Sequence, residues 1–374
     1  MPGYLLESMF VKGYKSFGEI ELRLAPINVL IGANGSGKSN FISLFKMLNR
    51  MMNGELQLFI AQSGGADQIL HYGRKITQEL ILRLWFLRPE NLANGYECHL
   101  QAAEDRLVFT SEDTGFHDRS RYEQPYWENL PHPGIYEESL LPKWAKETYR
   151  VPAYVYRALH SWQVYHFHDT GEAARLKQLG DLYQNQHLLP DGGNLAAYLY
   201  FLQEQFPQHY LRIVETIRLA APFFGDFSLR PFPFNREKIR LEWRERGSDL
   251  IFGPNALSDG TLRFICLTTL FLQPVEYLPA TILIDEPELG LHPYAIKLLA
   301  EMVSSVAEHT QVILTTQSVT LVNQFSPEDI LVVDRVEGIS TIRRLESAEI
   351  EHWPEDYALG ELWEKNVFGG RPAL

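Results

Sequence analysis

The stretch Gly32-Ala33-Asn34-Gly35-Ser36-Gly37-Lys38-Ser39 has the pattern G-x-x-x-x-G-K-S of a phosphate-binding loop. It follows the short apolar run Ile27–Ile31, and apolar residues at helical spacing follow it over residues 40–48. The motif therefore stands between a predicted strand and a predicted helix, which is the context that it requires.

The chemistry of this loop favours a nucleoside triphosphate. Its glycines lack Cβ, so several backbone N–H groups can converge on one anion. The helix that follows offers unpaired N–H groups and its positive dipole end to the same anion. We predict that Lys38 reaches the β- and γ-phosphates and that Ser39 supplies a hydroxyl to Mg²⁺. Phosphate contacts are expected along the loop and the first helical turn, at Ala33, Asn34, Gly35, Ser36, Gly37, Lys38, Ser39 and Asn40.

The composition of the whole chain is that of a globular protein. Of the 374 residues, 45% are hydrophobic and 22% are charged, which provides enough apolar material for a sizeable core. No apolar run approaches the roughly 20 residues that span a bilayer. The N-terminus shows no basic region followed by an apolar core, so we expect neither a membrane segment nor a signal peptide. Two cysteines, Cys98 and Cys266, are too few for a disulfide framework and indicate the reducing cytoplasm.

The charge of the chain bears on its partners. A net charge of −13 and a pI of about 5.4 argue against chain-wide electrostatic attraction to nucleic acid or to an anionic membrane. A local basic groove is compatible with that charge. The alternating segment 238–244 has basic residues on one face, but glutamates interleave with them, so we interpret it as a solvated sheet face rather than a DNA-facing strand.

A second motif of phosphate chemistry lies far downstream. Residues 280–284 form an apolar run that ends in Asp285 and Glu286, which is the pattern of a Walker B strand. Asp285 at the strand end is placed to hold Mg²⁺, directly or through water, and Glu286 to polarise the attacking water. The order of the two motifs favours one nucleotide site over an accidental acidic turn.

Three further segments complete a family pattern. Leu257-Ser258-Asp259-Gly260-Thr261 precedes an apolar helix, Glu288-Leu289-Gly290-Leu291-His292-Pro293 follows the Walker B strand, and Thr315-Thr316-Gln317-Ser318 follows the next strand. Together they resemble the signature motif, D-loop and switch of ABC-type ATPases in the form found in SMC, RecF and OLD proteins. This resemblance covers residues 9–90 and 236–335. The chain is most similar to the stand-alone RecF-like and OLD-like ATPases of bacteria, because residues 165–170, 190–195 and 361–366 also resemble segments of that group and extend the likeness to nearly the full length.

This resemblance assigns roles to residues outside the two Walker motifs. Lys15, within Tyr14-Lys15-Ser16-Phe17, stands at the arginine position of the family's N-terminal segment and is expected to bind the nucleotide. Ser258 and Gly260 correspond to the signature that caps the γ-phosphate bound by a second protomer. Gln317 replaces the switch histidine and is expected to sense the γ-phosphate by hydrogen bonding. Gln68 falls where the family has its Q-loop, which implies a ligand of Mg²⁺.

The fold that the resemblance implies is α/β: an ABC-type, SMC/RecF-like P-loop ATPase head with an inserted, mostly helical lobe. The head is expected in two halves, residues 1–100 with the Walker A loop and residues 236–374 with the signature, Walker B, D-loop and switch. Residues 101–235 are dense in aromatics and prolines, then show two helical stretches, and are expected to form the lobe.

One P-loop and one signature in each chain imply that two copies sandwich ATP and Mg²⁺ in a homodimer. The expected reaction is hydrolysis of ATP to ADP and phosphate, with Glu286, Lys38 and Gln317 at the reacting centre. Three outputs stay open. They are a DNA-repair or genome-maintenance clamp on duplex DNA, an anti-phage defence switch that controls an effector protein, and a slow nucleotide-dependent interaction module.

Two other clusters have alternative interpretations. In His166-Phe167-His168-Asp169 the two histidines would share a strand face like the ligands of a metal site, but no partner motif is evident, so a structural or interface role is favoured. The acidic stretch 346–356 is predicted to be a solvated face rather than a nuclease centre like the Toprim domain of OLD enzymes.

Overall fold

Two six-stranded sheets dominate the structure, a computed structural model that describes residues 5–132, 134–148, 150–350 and 357–370. The strands are β1 (Leu5–Tyr14), β2 (Phe17–Arg23), β3 (Ile27–Ile31), β4 (Glu79–Arg88), β5 (Leu92–Ala103), β6 (Arg106–Asp118), β7 (Tyr126–Asn129), β8 (Gln163–Tyr165), β9 (Gly180–Asp181), β10 (Phe224–Phe227), β11 (Pro231–Phe232), β12 (Asn235–Ile239), β13 (Trp243–Glu245), β14 (Ile251–Phe252), β15 (Thr281–Asp285), β16 (Gln311–Thr316), β17 (Ile330–Val336) and β18 (Ile339–Arg344). The α-helices are α1 (Lys38–Met52), α2 (Leu56–Gln62), α3 (Ala66–Ile69), α4 (Leu141–Glu147), α5 (Val151–Ser161), α6 (Leu195–Gln205), α7 (Pro207–Ala220), α8 (Asp259–Leu272), α9 (Pro293–Val306), α10 (Val319–Val322) and α11 (Leu359–Glu364).

The first large sheet is antiparallel, with its strands in the order β2-β1-β4-β5-β6-β7. In β4 every second residue is buried, beginning at Leu80 and ending at Phe86. This is the alternation of a sheet with one face on the core, because successive side chains of a strand point to opposite faces.

The second large sheet has the order β18-β17-β3-β16-β15-β8 and is parallel except for β18. Its central strands are buried on both faces, as is usual for parallel strands covered by helices. One face, which includes Leu30 and Leu283, packs with α1 and the antiparallel sheet. The opposite face, which includes Val29 and Ile282, packs with α6, α7, α8 and α9.

This layering puts four polar chain segments at one edge of the parallel sheet. The strands β3, β8, β15 and β16 run in the same direction and end at Ile31, Tyr165, Asp285 and Thr316. The segments that leave the carboxyl ends of parallel strands meet at one crevice, which is where ligands bind in open α/β sheets. The fold therefore places its candidate site at that edge.

Two predictions of secondary structure need correction. Residues 101–235 are not mainly helical in their first part, because β5 runs to Ala103, β6 and β7 extend the antiparallel sheet, and β8 joins the parallel sheet. The strand predicted over 238–244 is broken between Ile239 and Trp243, because β12 pairs in one three-stranded sheet and β13 in another. The division of the chain into three domains stays a prediction.

Two further predictions concern the acidic stretch and the membrane. Residues 351–356 of the acidic stretch lie outside the described residues. In the part of the chain that the structure describes, no helix has the length and apolar character that crossing a bilayer demands.

A carboxyl group is buried where β6 meets the segment before α4. The side chain of Glu112 is fully buried and accepts hydrogen bonds from the hydroxyl of Tyr96 (2.6 Å), the hydroxyl of Ser139 (2.5 Å) and the backbone N–H of Leu140 (2.8 Å). Burial disfavours the charged form, so the pKa of Glu112 is raised above its usual value of 4.5. This group therefore links the stability of the sheet to pH.

The pH dependence of unfolding tests this link. The folded protein keeps the Glu112 proton to a higher pH than the unfolded chain does, so this group lowers the free energy of unfolding as pH rises above 4.5. The contribution is at most about 1.4 kcal/mol per pH unit. We expect Glu112→Gln to remove this component, measured by urea unfolding at several pH values between about 4.5 and 7. The exposed Glu123→Gln is the matched control and should follow the wild type. Parallel curves for wild type and Glu112→Gln would contradict the assignment.

Candidate active site

The phosphate-binding loop lies between β3 and α1, as the sequence predicts. Gly37 stands directly before the first residue of α1 and has φ 124°, a conformation that residues with Cβ rarely adopt. A Cβ at Gly37 would lie 2.6 Å from the hydroxyl of Ser340 in β18. The neighbouring Ser36 is buried, and its hydroxyl has no hydrogen-bond partner among the described residues. The loop thus has a tightly held backbone with an unpartnered hydroxyl within it.

Lys38 is the cation of this loop. Its ammonium group donates to the main-chain carbonyls of Gly32 (2.5 Å) and Ala33 (3.0 Å), so it is folded over its own loop. Burial lowers its pKa, and the negative charges of Glu286 and Asp285 oppose that shift. Lys38 therefore lies between the loop and the two carboxylates of the Walker B strand.

A cavity of about 450 Å³ unites the Walker A and Walker B segments. It contains nine residues that the sequence analysis assigned to the site or its metal, and two that it did not. The lining residues are Asn34, Gly35, Gly37, Lys38, Ser39, Asn40, His168, Asp285, Glu286, Gln317 and Arg335.

The acidic end of β15 is bonded to the end of β16. Asp285 pairs with Thr315 in the parallel ladder, and the Thr315 hydroxyl donates to the Asp285 carboxylate. Glu286 has φ 44°, in the left-handed region, and its N–H donates to the carbonyl of Thr315 (2.9 Å). The side-chain amide of Gln317 donates to the Glu286 carboxylate. The carboxylate and the switch glutamine that the sequence predicted are therefore in direct contact.

The buried carboxylate of Glu288 accepts hydrogen bonds from the end of β16 and the residue that follows it. Its carboxylate accepts from the Thr316 hydroxyl (2.5 Å) and from the N–H of Gln317 (3.4 Å), and it is buried. Burial raises its pKa. The segment that carries Gln317 is thus tied to the start of the D-loop.

The signature residues line a separate cavity of about 120 Å³. Ser258 precedes α8, and its hydroxyl accepts from the N–H of Thr261 (3.2 Å), as a helix cap does. Gly260 lies against the D-loop so closely that a Cβ there would be 2.1 Å from the carbonyl oxygen of Gly290. Ser258 and Gly260 are not among the residues that line the phosphate cavity of the same chain.

Lys15 and Gln68 lie in a third cavity, of about 600 Å³, which adjoins the phosphate cavity through Asn40 and Arg335. The ammonium group of Lys15 donates to the hydroxyl of Ser43 on α1 (2.7 Å). Gln68 lies on the short helix α3 and is absent from the lining of the cavity that contains Ser39 and Asp285. The structure therefore does not bring Gln68 together with Ser39 and Asp285 in one cavity, and its role as a ligand of Mg²⁺ stays a prediction.

Two residues that the sequence analysis did not place in this site belong to it. His168 follows β8, and its Nε2 lies 2.8 Å from the main-chain oxygen of Asp285. Arg335 lies on β17 and donates to the carbonyl of Gly35 (3.2 Å). His168 belongs to the segment His166-Phe167-His168-Asp169 that the sequence analysis quoted. The apolar residues just before that segment were the sequence signal of a strand, and such a strand could pair with β15. Arg335 belongs to no sequence motif. Only the pairing of its strand β17 with β3 places it beside the site.

Arg263 links the signature helix to both of its neighbouring segments. Its guanidinium donates to the carbonyls of Phe167 (3.2 Å), His168 (2.9 Å) and Leu289 (2.9 Å). A guanidinium presents five donors in a rigid planar fork, so it can hold several carbonyls in one arrangement. The signature helix, the D-loop and the segment after β8 are thus joined within one chain.

Comparison with known proteins gives a family and a fold for this chain. A family model described as "AAA domain, putative AbiEii toxin, Type IV TA system" matches residues 27–323. No curated protein matches the sequence. Among solved structures, the SMC head bound to the C-winged helix domain of ScpA is 14% identical with a TM-score of 0.62, and the match covers 92% of this chain and 98% of that one.

A second solved structure has the same likeness. The Smc head domain with an extended coiled coil, bound to the C-terminal domain of ScpA derived from Pyrococcus furiosus, is 12% identical with a TM-score of 0.56. That match covers 92% of this chain and 97% of the other. At these identities the likeness shows the fold, and the predicted fold class is confirmed. The family match spans more than half of the chain, so the protein belongs to the AAA-domain family described for putative AbiEii toxins, as a P-loop ATPase of the ABC type with an SMC/RecF-like head.

Proposed function

We propose that this protein binds ATP with Mg²⁺ and hydrolyses it to ADP and phosphate. The observation that carries the proposal is the cavity in which Lys38 and Ser39 face Asp285, Glu286 and Gln317. A cation for the phosphates, oxygen ligands for a metal and a carboxylate for the attacking water are the parts that phosphoryl transfer to water needs.

The donors of this site fit Mg²⁺ and a triphosphate. The hydroxyl of Ser39 and the carboxylate of Asp285 are hard oxygen ligands, and Mg²⁺ is usually held by one or two carboxylates together with substrate phosphates. Among the described residues there is no group of three or more His, Cys, Asp or Glu that could hold a metal alone. When bound, the ion would neutralise charge that develops on the phosphates.

The chain's own groups then have distinct tasks. Lys38 and the N–H groups of the loop bind and orient the phosphates, which accounts for most of the catalysis in this kind of reaction. Glu286 orients the attacking water or accepts its proton, and Gln317 holds the Glu286 carboxylate by a hydrogen bond. The cavity with Lys15 adjoins the phosphates through Asn40 and is the place that we propose for the nucleoside.

We further propose that the site is completed by a second copy of the chain. Ser258 and Gly260 lie at the start of α8 in a cavity of their own, where the helix N-terminus favours an anion. A head-to-tail homodimer would bring this cavity to the γ-phosphate held by the partner's P-loop. Two such sites would form at once, because the contact is reciprocal in a two-fold dimer.

Two of the three outputs have support from a resemblance or from the family description. The resemblance to RecF-like proteins supports a clamp on duplex DNA that acts in repair or genome maintenance. The family description, with its putative toxins, supports a cytoplasmic defence switch that controls an effector protein. The net charge of −13 favours the second, because binding to duplex DNA without base contacts depends on cationic side chains.

Nucleotide binding and turnover separate the roles of two residues. Lys38→Ala should weaken ATP binding by about 2 kcal/mol or more, roughly 30-fold, because a charged donor to the phosphates is lost. Glu286→Gln should bind ATP as the wild type does and lose turnover by about 100-fold or more. Isothermal titration and phosphate release measure the two quantities. The exposed pair Lys297→Ala and Glu301→Gln are matched controls on α9. Unchanged turnover in Glu286→Gln would make the assignment of the base wrong.

Light scattering tests the composite site. Glu286→Gln should be a dimer with ATP and Mg²⁺ and a monomer without them, because unhydrolysed ATP keeps both interfaces closed. Adding Gly260→Ala should keep ATP binding and abolish the dimer, because the new Cβ would displace the D-loop at Gly290. Adding the exposed Ser304→Ala instead should leave the dimer intact. A Glu286→Gln protein that stays monomeric with ATP would contradict the sandwich.

The two outputs predict different responses of the ATPase. A switch that controls an effector should co-purify with a protein when trapped as Glu286→Gln with ATP, and duplex DNA should not change its turnover. A DNA clamp should instead show DNA-stimulated turnover that falls steeply between about 50 and 200 mM salt, since phosphate contacts release counterions. We expect the first result. Salt-sensitive stimulation by DNA, without a protein partner, would reverse that preference.

A further inference from the structure

The segment after β8 reaches the metal side of the nucleotide site. β8 is an edge strand that runs parallel to β15, and its last residue Tyr165 pairs with Ile284. The chain that follows therefore passes the carboxylates at the end of β15. Nε2 of His168 lies 2.8 Å from the main-chain oxygen of Asp285, and the His168 ring lines the same cavity as Lys38 and Ser39.

This contact determines which ring nitrogen is free. A main-chain carbonyl oxygen can only accept, so Nε2 of His168 must carry the hydrogen and donate it. In the tautomer that this contact selects, Nδ1 has the lone pair, and no described residue forms a hydrogen bond with it. A metal-ligating histidine commonly has this arrangement, with one nitrogen donating to a carbonyl or carboxylate and the other binding the ion.

The ring of His168 is also held from its backbone. The carbonyl of His168 accepts from Arg263 at 2.9 Å, and the preceding carbonyl of Phe167 accepts from the same guanidinium at 3.2 Å. A ligand that is held on two sides loses little conformational freedom when an ion binds. His168 therefore has the supports of a preorganised binding residue.

The neighbouring histidine is arranged differently. His166 does not line the phosphate cavity, and its ring is tilted by 76° to that of His168 at a centroid distance of 6.1 Å. Its Nε2 is buried without a hydrogen-bond partner among the described residues. Two histidines two residues apart thus offer a matched comparison, because His168 lines the phosphate cavity and His166 does not.

We propose that Nδ1 of His168 is a ligand of the divalent metal that accompanies the nucleotide, beside Ser39 and Asp285, in the place that the sequence analysis gave to Gln68. The proposal rests on the function proposed above. Imidazole nitrogen binds Mn²⁺, Co²⁺ and Ni²⁺ more readily than it binds Mg²⁺, which prefers oxygen. The site should therefore accept these ions better than an all-oxygen site does.

Electron spin-echo spectroscopy of bound Mn²⁺ reads this ligand directly. The complex of the full chain with Mn²⁺ and a non-hydrolysable ATP analogue should show a histidine nitrogen coupling that changes when histidine is labelled with ¹⁵N. His168→Gln should abolish the coupling, whereas His166→Gln and Gln68→Ala should keep it. A coupling that survives in His168→Gln, or that is missing in the wild type although Mn²⁺ and analogue are bound, would overturn the proposal.

Metal preference provides a second measurement. In the presence of the analogue, the ratio of the Mn²⁺ and Mg²⁺ affinities should fall by about 10-fold in His168→Gln, because an amide oxygen replaces the nitrogen. An unchanged ratio would contradict the proposal. A wild type that binds analogue and metal independently of each other would instead contradict the proposed ATPase itself, so the two failures are distinguishable. Circular dichroism and metal-free analogue binding show whether the variant is folded.

Discussion

The structure depends on the common direction of four parallel strands. β3, β8, β15 and β16 bring a phosphate-binding loop, a histidine segment, a pair of carboxylates and a glutamine to one sheet edge, although these lie up to 286 residues apart in the sequence, from Ile31 to Gln317. None of the four segments could form the site alone. Burial of the strands on both faces holds their register, since a slip by one residue would exchange the two cores. The hydrophobic packing of the sheet therefore also sets the geometry of the polar edge.

How far the sequence predicts this structure differs between residues. Lys38, Ser39, Asp285 and Glu286 could be placed, because their roles depend on local motifs beside apolar strands. The switch position of Gln317 could be placed by resemblance, and the structure puts it against Glu286. The role of Gln68 stays a prediction, because its segment adjoins the nucleotide region but lines a different cavity. Secondary structure over 101–129 was misjudged, because the resemblance implied a mostly helical lobe there and the aromatics and prolines around β7 concealed that strand.

His168 and Arg335 show the limit of such prediction. Each lies in the site because of a neighbouring segment of the fold. His168 follows a strand that pairs with β15, and Arg335 donates to the loop that follows β3. Strand order is a property of the whole fold, and three residues of β8 contain too little pattern to reveal it. From the sequence alone, a histidine pair without a partner motif therefore cannot be assigned to the nucleotide site. The functional meaning of the segment follows from its position beside Asp285 and not from its composition.

The signature cavity and the phosphate cavity share no lining residue within one chain. Gly260 touches the D-loop so closely that only a glycine fits there, and Arg263, one turn further along α8, binds the carbonyls of His168 and Leu289. The signature helix is therefore built as one block with the segment beside Asp285 and with the D-loop. The backbone of Glu286 is in the left-handed region, a conformation that costs about 1–3 kcal/mol. Such strain persists only where the surrounding contacts over-determine it, and here the ladder at Thr315 and the amide of Gln317 do so. The geometry of the Glu286 carboxylate thus depends on its contacts with the end of β16 and with the residue that follows it.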